Sequence, residues 1–179
     1  MTHSTSGDFG AYNDVRPHVF DPAVNPELFE GVLSRRMIAF LIDVTIISIP
    51  VVLAAIFILI FGVLTLGLGL LLFWVFGPAA MVWALVYYGV TLGSPASATL
   101  GMRAVGLEMR TWYGEPAYFV LGAVHAVLFW VFCSFLTPFI LLVVFFNSRG
   151  RTLHDIALGT VVINNSARAE MLQRTRRYA

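Results

Sequence analysis

Apolar residues run almost without interruption through two long stretches of the chain, and polar residues gather between and around them. From Met37 to Met102 the only charged side chain is Asp43, and from Pro116 to Ser148 there is none. A helix rises 1.5 Å per residue, so about 20 apolar residues cross a hydrocarbon core about 30 Å thick. The first stretch therefore predicts two membrane-crossing helices, over about 36–61 and 70–92, with Gly62, Gly67 and Gly69 in the turn between them. Gly93-Ser94-Pro95 ends the stretch. The second, over 117–146, is too long for one untilted crossing, and Thr137-Pro138 offers a break. A hairpin or re-entrant pair turning near 133–138 is expected, against one tilted helix. The fold class is thus all-α integral membrane protein: a helical hairpin plus this third apolar block.

The polar segments divide the rest. Residues 1–25 carry Gly, Pro, Ser, Asp and Asn without apolar periodicity and read as a flexible tail, not a signal peptide. Asn25-Pro26-Glu27 has the form of a helix start, with Asn as N-cap, and Leu28, Phe29, Val32 and Leu33 suggest a short interfacial helix leading into the bilayer. Residues 26–164 form the transmembrane domain, and 165–179 a basic C-terminal tail. Ala104–Trp112 alternates loosely, and Thr160-Val161-Val162-Ile163 is β-branched, so the two can pair as a small cytoplasmic sheet.

Composition agrees with the layout. The chain of 179 residues is 59% hydrophobic and 12% charged, with a mean hydropathy of +0.84. A soluble fold of this size cannot hide that much apolar surface. The net charge of +1 leaves no basic footprint for nucleic acid. One cysteine, Cys133, excludes an intramolecular disulfide and a thiolate metal cluster. Every basic residue is Arg. Arg35 and Arg36 precede the first helix, Arg103 and Arg110 follow the second, and six Arg follow the third block, which predicts both termini on the cytoplasmic side. The basic tail then faces anionic lipid headgroups.

Asp43 lies about two turns inside the first helix, where a carboxylate costs roughly 2.5–3.5 kcal/mol on insertion scales. It must face protein or water and find a partner. Arg36, seven residues earlier, shares its stripe but lies about 10.5 Å away along the axis. A direct partner is expected from another segment: Arg103, His125, Arg149 or Arg151. Pro50 continues the stripe and frees a backbone carbonyl, a feature more often of packing than of ion binding. Asp155 is expected to pair with Arg36 or Arg103, with Gly159 as a helix C-cap. His154-Asp155 alone is a weak metal signal, so no metal site is expected. No nucleophile-plus-base arrangement stands out, and neither an enzyme nor a cofactor is expected.

Three segments carry a family resemblance. Arg35-Arg36-Met37-Ile38-Ala39-Phe40-Leu41-Ile42-Asp43 resembles the first signature of the RDD family of membrane proteins. Thr99-Leu100-Gly101-Met102-Arg103-Ala104-Val105-Gly106-Leu107 resembles its cytoplasmic loop, and the run from Arg151 to Val162 its C-terminal signature. The resemblance implies that Arg36, Asp43 and Asp155 are the family's motif positions. This chain departs from the pattern at Met102, where a basic residue is common, and around His125, where an Arg is common. The resemblance also implies transport of unidentified ligands, with cation/proton antiport linked to some members. Two functions follow as expectations. One is a small cation/proton or solute transporter using Asp43, with Arg36 and Asp155 as an ion or proton site and Arg103, His125, Arg149 and Arg151 in support. The other is a membrane scaffold or assembly protein in which Arg36, Asp43 and Asp155 form a structural polar network. Either is expected as a homo-oligomer or with a partner membrane protein, in a bacterial-type plasma (inner) membrane.

Overall fold

The computed structural model describes residues 21–136 and 151–177. A 3-10 turn, Pro26–Leu28, leads into α1 (Val32–Leu64). A second 3-10 turn, Leu68–Leu72, leads into α2 (Phe73–Leu92). There follow α3 (Leu100–Ala104), β1 (Leu107–Thr111), α4 (Phe119–Leu136), α5 (Leu153–Leu158), β2 (Thr160–Asn164) and α6 (Ser166–Arg177).

Two helices are long and apolar enough to cross a membrane, and their large side chains point outward. Leu53, Phe57, Leu64 and Trp74 are all more than half exposed, the reverse of a soluble core helix. At 1.5 Å per residue, α1 is about 50 Å long, more than the hydrocarbon core needs. Pro50 lies inside α1 and Pro78 inside α2 without ending either helix. The turn between the helices is tight: a Cβ on Gly69 would meet the backbone of Phe61 and Gly62, and one on Gly62 would overlap Leu70.

The core does not lie between the spanning helices. It lies at one end of them, where α3, β1 and β2 meet the start of α1, the end of α2 and the start of α4. Leu92, Leu107 and Met109 are each 1% exposed there, packed with Val32, Met102 and Val162. Burying each such large side chain away from water is worth about 1.5–3 kcal/mol. Within a bilayer apolar side chains gain nothing comparable by leaving lipid, so close packing of small residues replaces it. A Cβ on Gly122 of α4 would meet Leu92 Cβ at 2.8 Å and the Tyr88 carbonyl at 2.9 Å, and one on Gly89 would meet the Phe119 ring.

β1 and β2 pair antiparallel, Leu107 opposite Asn164 and Thr111 opposite Thr160. All five residues of β2 are buried. Asn164 is fixed by donating to the carbonyls of Glu27 (2.8 Å) and Glu30 (2.9 Å), which ties the strand to the N-terminal turn.

Three segments differ from the sequence expectations. The residues after Asn25 form one 3-10 turn rather than an interfacial helix. The Asn25 side chain makes no capping bond, Gly31 adopts a left-handed φ of 69°, and Val32 and Leu33 already belong to α1. The segment expected as a basic tail is helical over 166–177, because Ala, Arg, Glu, Met, Leu and Gln are strong helix formers whatever their charge. It packs on the N-terminal turn, where Gln173 Nε2 donates to Glu27 Oε1 at 2.8 Å. Finally, α4 continues through position 133 to Leu136, past the start of the expected turn. Residues 137–150, which hold the rest of that turn, lie outside the described residues, as does the N-terminal tail before residue 21.

Candidate functional site

The three motif residues belong to two polar clusters. Asp43 is 3% exposed on the inner face of α1. Its Oδ1 accepts from the Tyr87 hydroxyl of α2 at 2.6 Å and from the Gly101 backbone N–H at 2.8 Å. Its Oδ2 accepts from Thr99 Oγ1 at 2.6 Å. Thr99 precedes α3 as its N-cap, and its Oγ1 accepts from the Met102 N–H at 3.1 Å. Gly101 allows this approach: a methyl there would overlap the Ala39 carbonyl and the Asp43 carboxyl carbon. One carboxylate thus joins α1, α2 and the α3 loop.

Among the described residues no cation provides the hydrogen bonds that Asp43 accepts, which corrects the expectation for Arg103, His125 and Arg151. Arg103 turns instead to the Ala98 carbonyl (3.1 Å) and Ser94 Oγ (2.5 Å). Arg151 donates to the carbonyls of Thr160 (2.8 Å) and Asp155 (2.9 Å), and its guanidinium lies 4.9 Å from the centre of the Trp112 ring. Arg149 lies outside the described residues. His125 joins the second cluster.

Asp155 is the centre of that cluster and is fully buried. It is the third residue of α5, where its Oδ2 accepts from the Thr152 backbone N–H (3.0 Å) and Thr152 Oγ1 (2.8 Å). The same oxygen accepts from Arg36 Nη2 at 2.6 Å. Asp155 Oδ1 accepts from Thr160 Oγ1 at 3.3 Å and lies 3.8 Å from His125 Nδ1. Burial alone pushes this carboxyl up, but Arg36, the two histidines and the Thr152 N–H outweigh it and hold Asp155 below the usual carboxylate range. Gly159, left-handed at φ 62°, ends α5 and turns the chain into β2.

His125 and His154 stand beside this ion pair, their ring centroids 4.5 Å apart at an interplanar angle of 78°. His154 Nε2 lies 2.9 Å from Thr152 Oγ1. That hydroxyl gives its proton to Asp155, so it accepts from Nε2–H, and His154 Nδ1 carries a bare lone pair. Burial is the main reason the His154 imidazolium is disfavoured, and its pKa is lowered to about 3. The Nδ1 atoms of His125 and His154 are buried without a hydrogen-bond partner among the described residues. His125, His154 and Asp155 each offer a ligand atom, all within 4.8 Å of one another. The sequence reading lacked this companion for His154-Asp155 because His125 is distant along the chain. Arg36 opposes a cation here, since its own positive charge already occupies Asp155.

Sequence reasoning missed Tyr87 and the roles of Thr99 and Gly101. A Thr followed by Gly two residues later, in the loop after an apolar helix, is the signal that a cap and a close backbone approach coincide.

The RDD family model matches residues 31–159, which include Asp43 with its three donors and Arg36, His125, His154 and Asp155. No curated protein and no solved structure matches the chain. The family match covers most of the chain, holds all three motif residues, and agrees with two long, outward-facing apolar helices: the chain belongs to the RDD family of membrane proteins.

Proposed function

We propose that this protein is a membrane scaffold or assembly module, in which Asp43 and the Arg36–Asp155 pair are structural clamps rather than a carrier site. The observation that carries this reading is the set of three donors that holds the buried Asp43 carboxylate. A carboxylate offers about four lone-pair positions, and three are filled by Tyr87, Thr99 and the Gly101 N–H. A carrier carboxylate must exchange its ligand with water or an ion, and this one is buried beneath its donors. The clamps tie α1 to α2, to the α3 loop and to α5, and leave long apolar faces to meet lipid, a second copy or a partner membrane protein.

The same contacts support a topology with both ends of the described chain on the cytoplasmic side. Arg36, at the start of α1, touches Asp155, and β1 touches β2, so the chain between β1 and β2 leaves and returns on one side. The Arg residues at that end favour the cytoplasm.

A second reading, a small proton-linked transporter, is favoured by one observation: the unpartnered Nδ1 atoms of His125 and His154 beside Asp155. Proteoliposomes with a pH-sensitive dye distinguish the two. The scaffold reading expects no cation-driven proton flux in the wild type and reduced protein abundance in Asp43→Ala. Wild-type flux that disappears in a folded His125→Gln or Asp43→Asn variant overturns it.

A further inference from the structure

We infer that a cleft between the start of α1, the α3–β1 turn and α6 binds the phosphate of an anionic phospholipid. The cleft is an open surface groove of about 780 Å³, and Arg35, Arg103 and Arg168 line it. Among the described residues no carboxylate lines it.

Two of these guanidinium groups are held by neutral acceptors. Arg35 Nη1 donates to the Val105 carbonyl at 2.8 Å, and Arg103 donates to the Ala98 carbonyl and Ser94 Oγ. Such bonds fix direction and leave the positive charge uncompensated, which is the preparation an incoming anion needs. Arg168 is less satisfied: among the described residues its Nε is buried without a hydrogen-bond partner, and its Nη1 reaches the Met171 sulfur at 3.9 Å. Gly106 brings the groups together. A Cβ on it would stand 3.5 Å from Arg168 Cβ and 3.8 Å from Arg35 Nη1.

The rest of the cleft indicates what the phosphate is attached to. Ile38 and Met171 line it and are 50% and 48% exposed. From Ile38 the exposed surface continues along α1 through Leu41 into the spanning part of the helix. A ligand with an anionic head and an acyl chain matches this sequence of arginine and then lipid-facing apolar surface. Free phosphate has no use for the second half. The site is distinct from general attraction to the basic residues near the C-terminus, since Arg174 and Arg177 do not line it.

The test uses the full chain in mixed micelles of phosphatidylglycerol and phosphatidylcholine, with retained lipid counted by native mass spectrometry. Preferential retention of phosphatidylglycerol is expected, falling about fivefold in Arg168→Gln. Ala167→Glu, an exposed substitution at the edge of the cleft, is expected to have a similar effect while thermal unfolding stays at the wild-type temperature. The Arg174→Gln, Arg177→Gln double variant is expected to retain the lipid. Equal retention of both lipids by the wild type overturns the inference, as does a loss in the double variant equal to that in Arg168→Gln. Complete displacement by excess inorganic phosphate assigns the cleft to a soluble anion and overturns the lipid.

Discussion

The Tyr87 hydroxyl lies 2.6 Å from Asp43 Oδ1, so the carboxylate of α1 is satisfied in part by the neighbouring spanning helix. Tyr87→Phe removes a donor and leaves the carboxylate otherwise in place. The expected loss is about 1–3 kcal/mol of stability, read as a lower unfolding temperature in detergent. Because Asp43→Asn disturbs the same contact, the double variant should lose less than the sum of the two single losses. Strict additivity would mean that the two residues do not share an interaction.

Arg36 and Asp155 form a tighter constraint. Their side chains are 16% and 0% exposed, so removing either one takes away the opposite charge that the other meets at 2.6 Å. Asp155→Ala is expected to cost about 3–5 kcal/mol, and the paired change to Arg36→Met, Asp155→Leu markedly less. Denaturant or thermal unfolding of the three variants checks the order, and a double variant worse than Asp155→Ala contradicts it.

Gly101→Ala tests the close backbone approach of α3 to α1. The added methyl would overlap the Ala39 carbonyl and crowd Asp43. Backbone on one side and a carboxylate held by three donors on the other cannot shift cheaply, so a loss of about 1–3 kcal/mol and lower abundance in membranes are expected. A wild-type unfolding temperature in this variant would show that the loop relaxes freely.

Acid should weaken the second cluster through two groups with the same sign. The folded pKa of His154 is lowered from 6.5 to about 3, chiefly by burial. Between these values the unfolded chain binds the proton and the folded chain does not, so stability falls as pH drops from about 6.5. Asp155 lies below its ordinary range in the folded state; its stabilisation is full above the unfolded pKa and is lost as pH falls through the folded one. The unfolding temperature should therefore decline from pH 7 towards pH 4. His154→Gln, which keeps a donor for Thr152, should flatten the upper part of that decline. An unchanged slope in His154→Gln would place the sensitivity elsewhere.

Much of this arrangement was legible in the sequence because charge is rare in it. Arg36 and Asp155 could be matched because each stands at the polar edge of an apolar block and needs a partner. β1 and β2 occupy the two segments where alternation and β-branching are visible. The partners of Asp43 were not legible for the opposite reason. Tyr87, Thr99 and a backbone N–H are neutral, and only the folded arrangement of α2 and α3 brings them to the carboxylate. His125 was visible as a lone histidine, but its nearness to His154 depends on α4 packing against α5. The helix at 166–177 has no apolar stripe of helical period to announce it, only residues of high helix propensity.

Asn164 holds the carbonyls of Glu27 and Glu30, residues 137 and 134 positions earlier in the chain. A ribosome adds about 5–20 residues per second, so the N-terminal turn waits roughly 7–27 s for this partner to be made. Through about the second half of that interval both long apolar helices are already synthesised, while β2 is still missing. A chain interrupted before β2 therefore carries both long apolar helices but lacks the strand whose Asn164 holds the N-terminal turn.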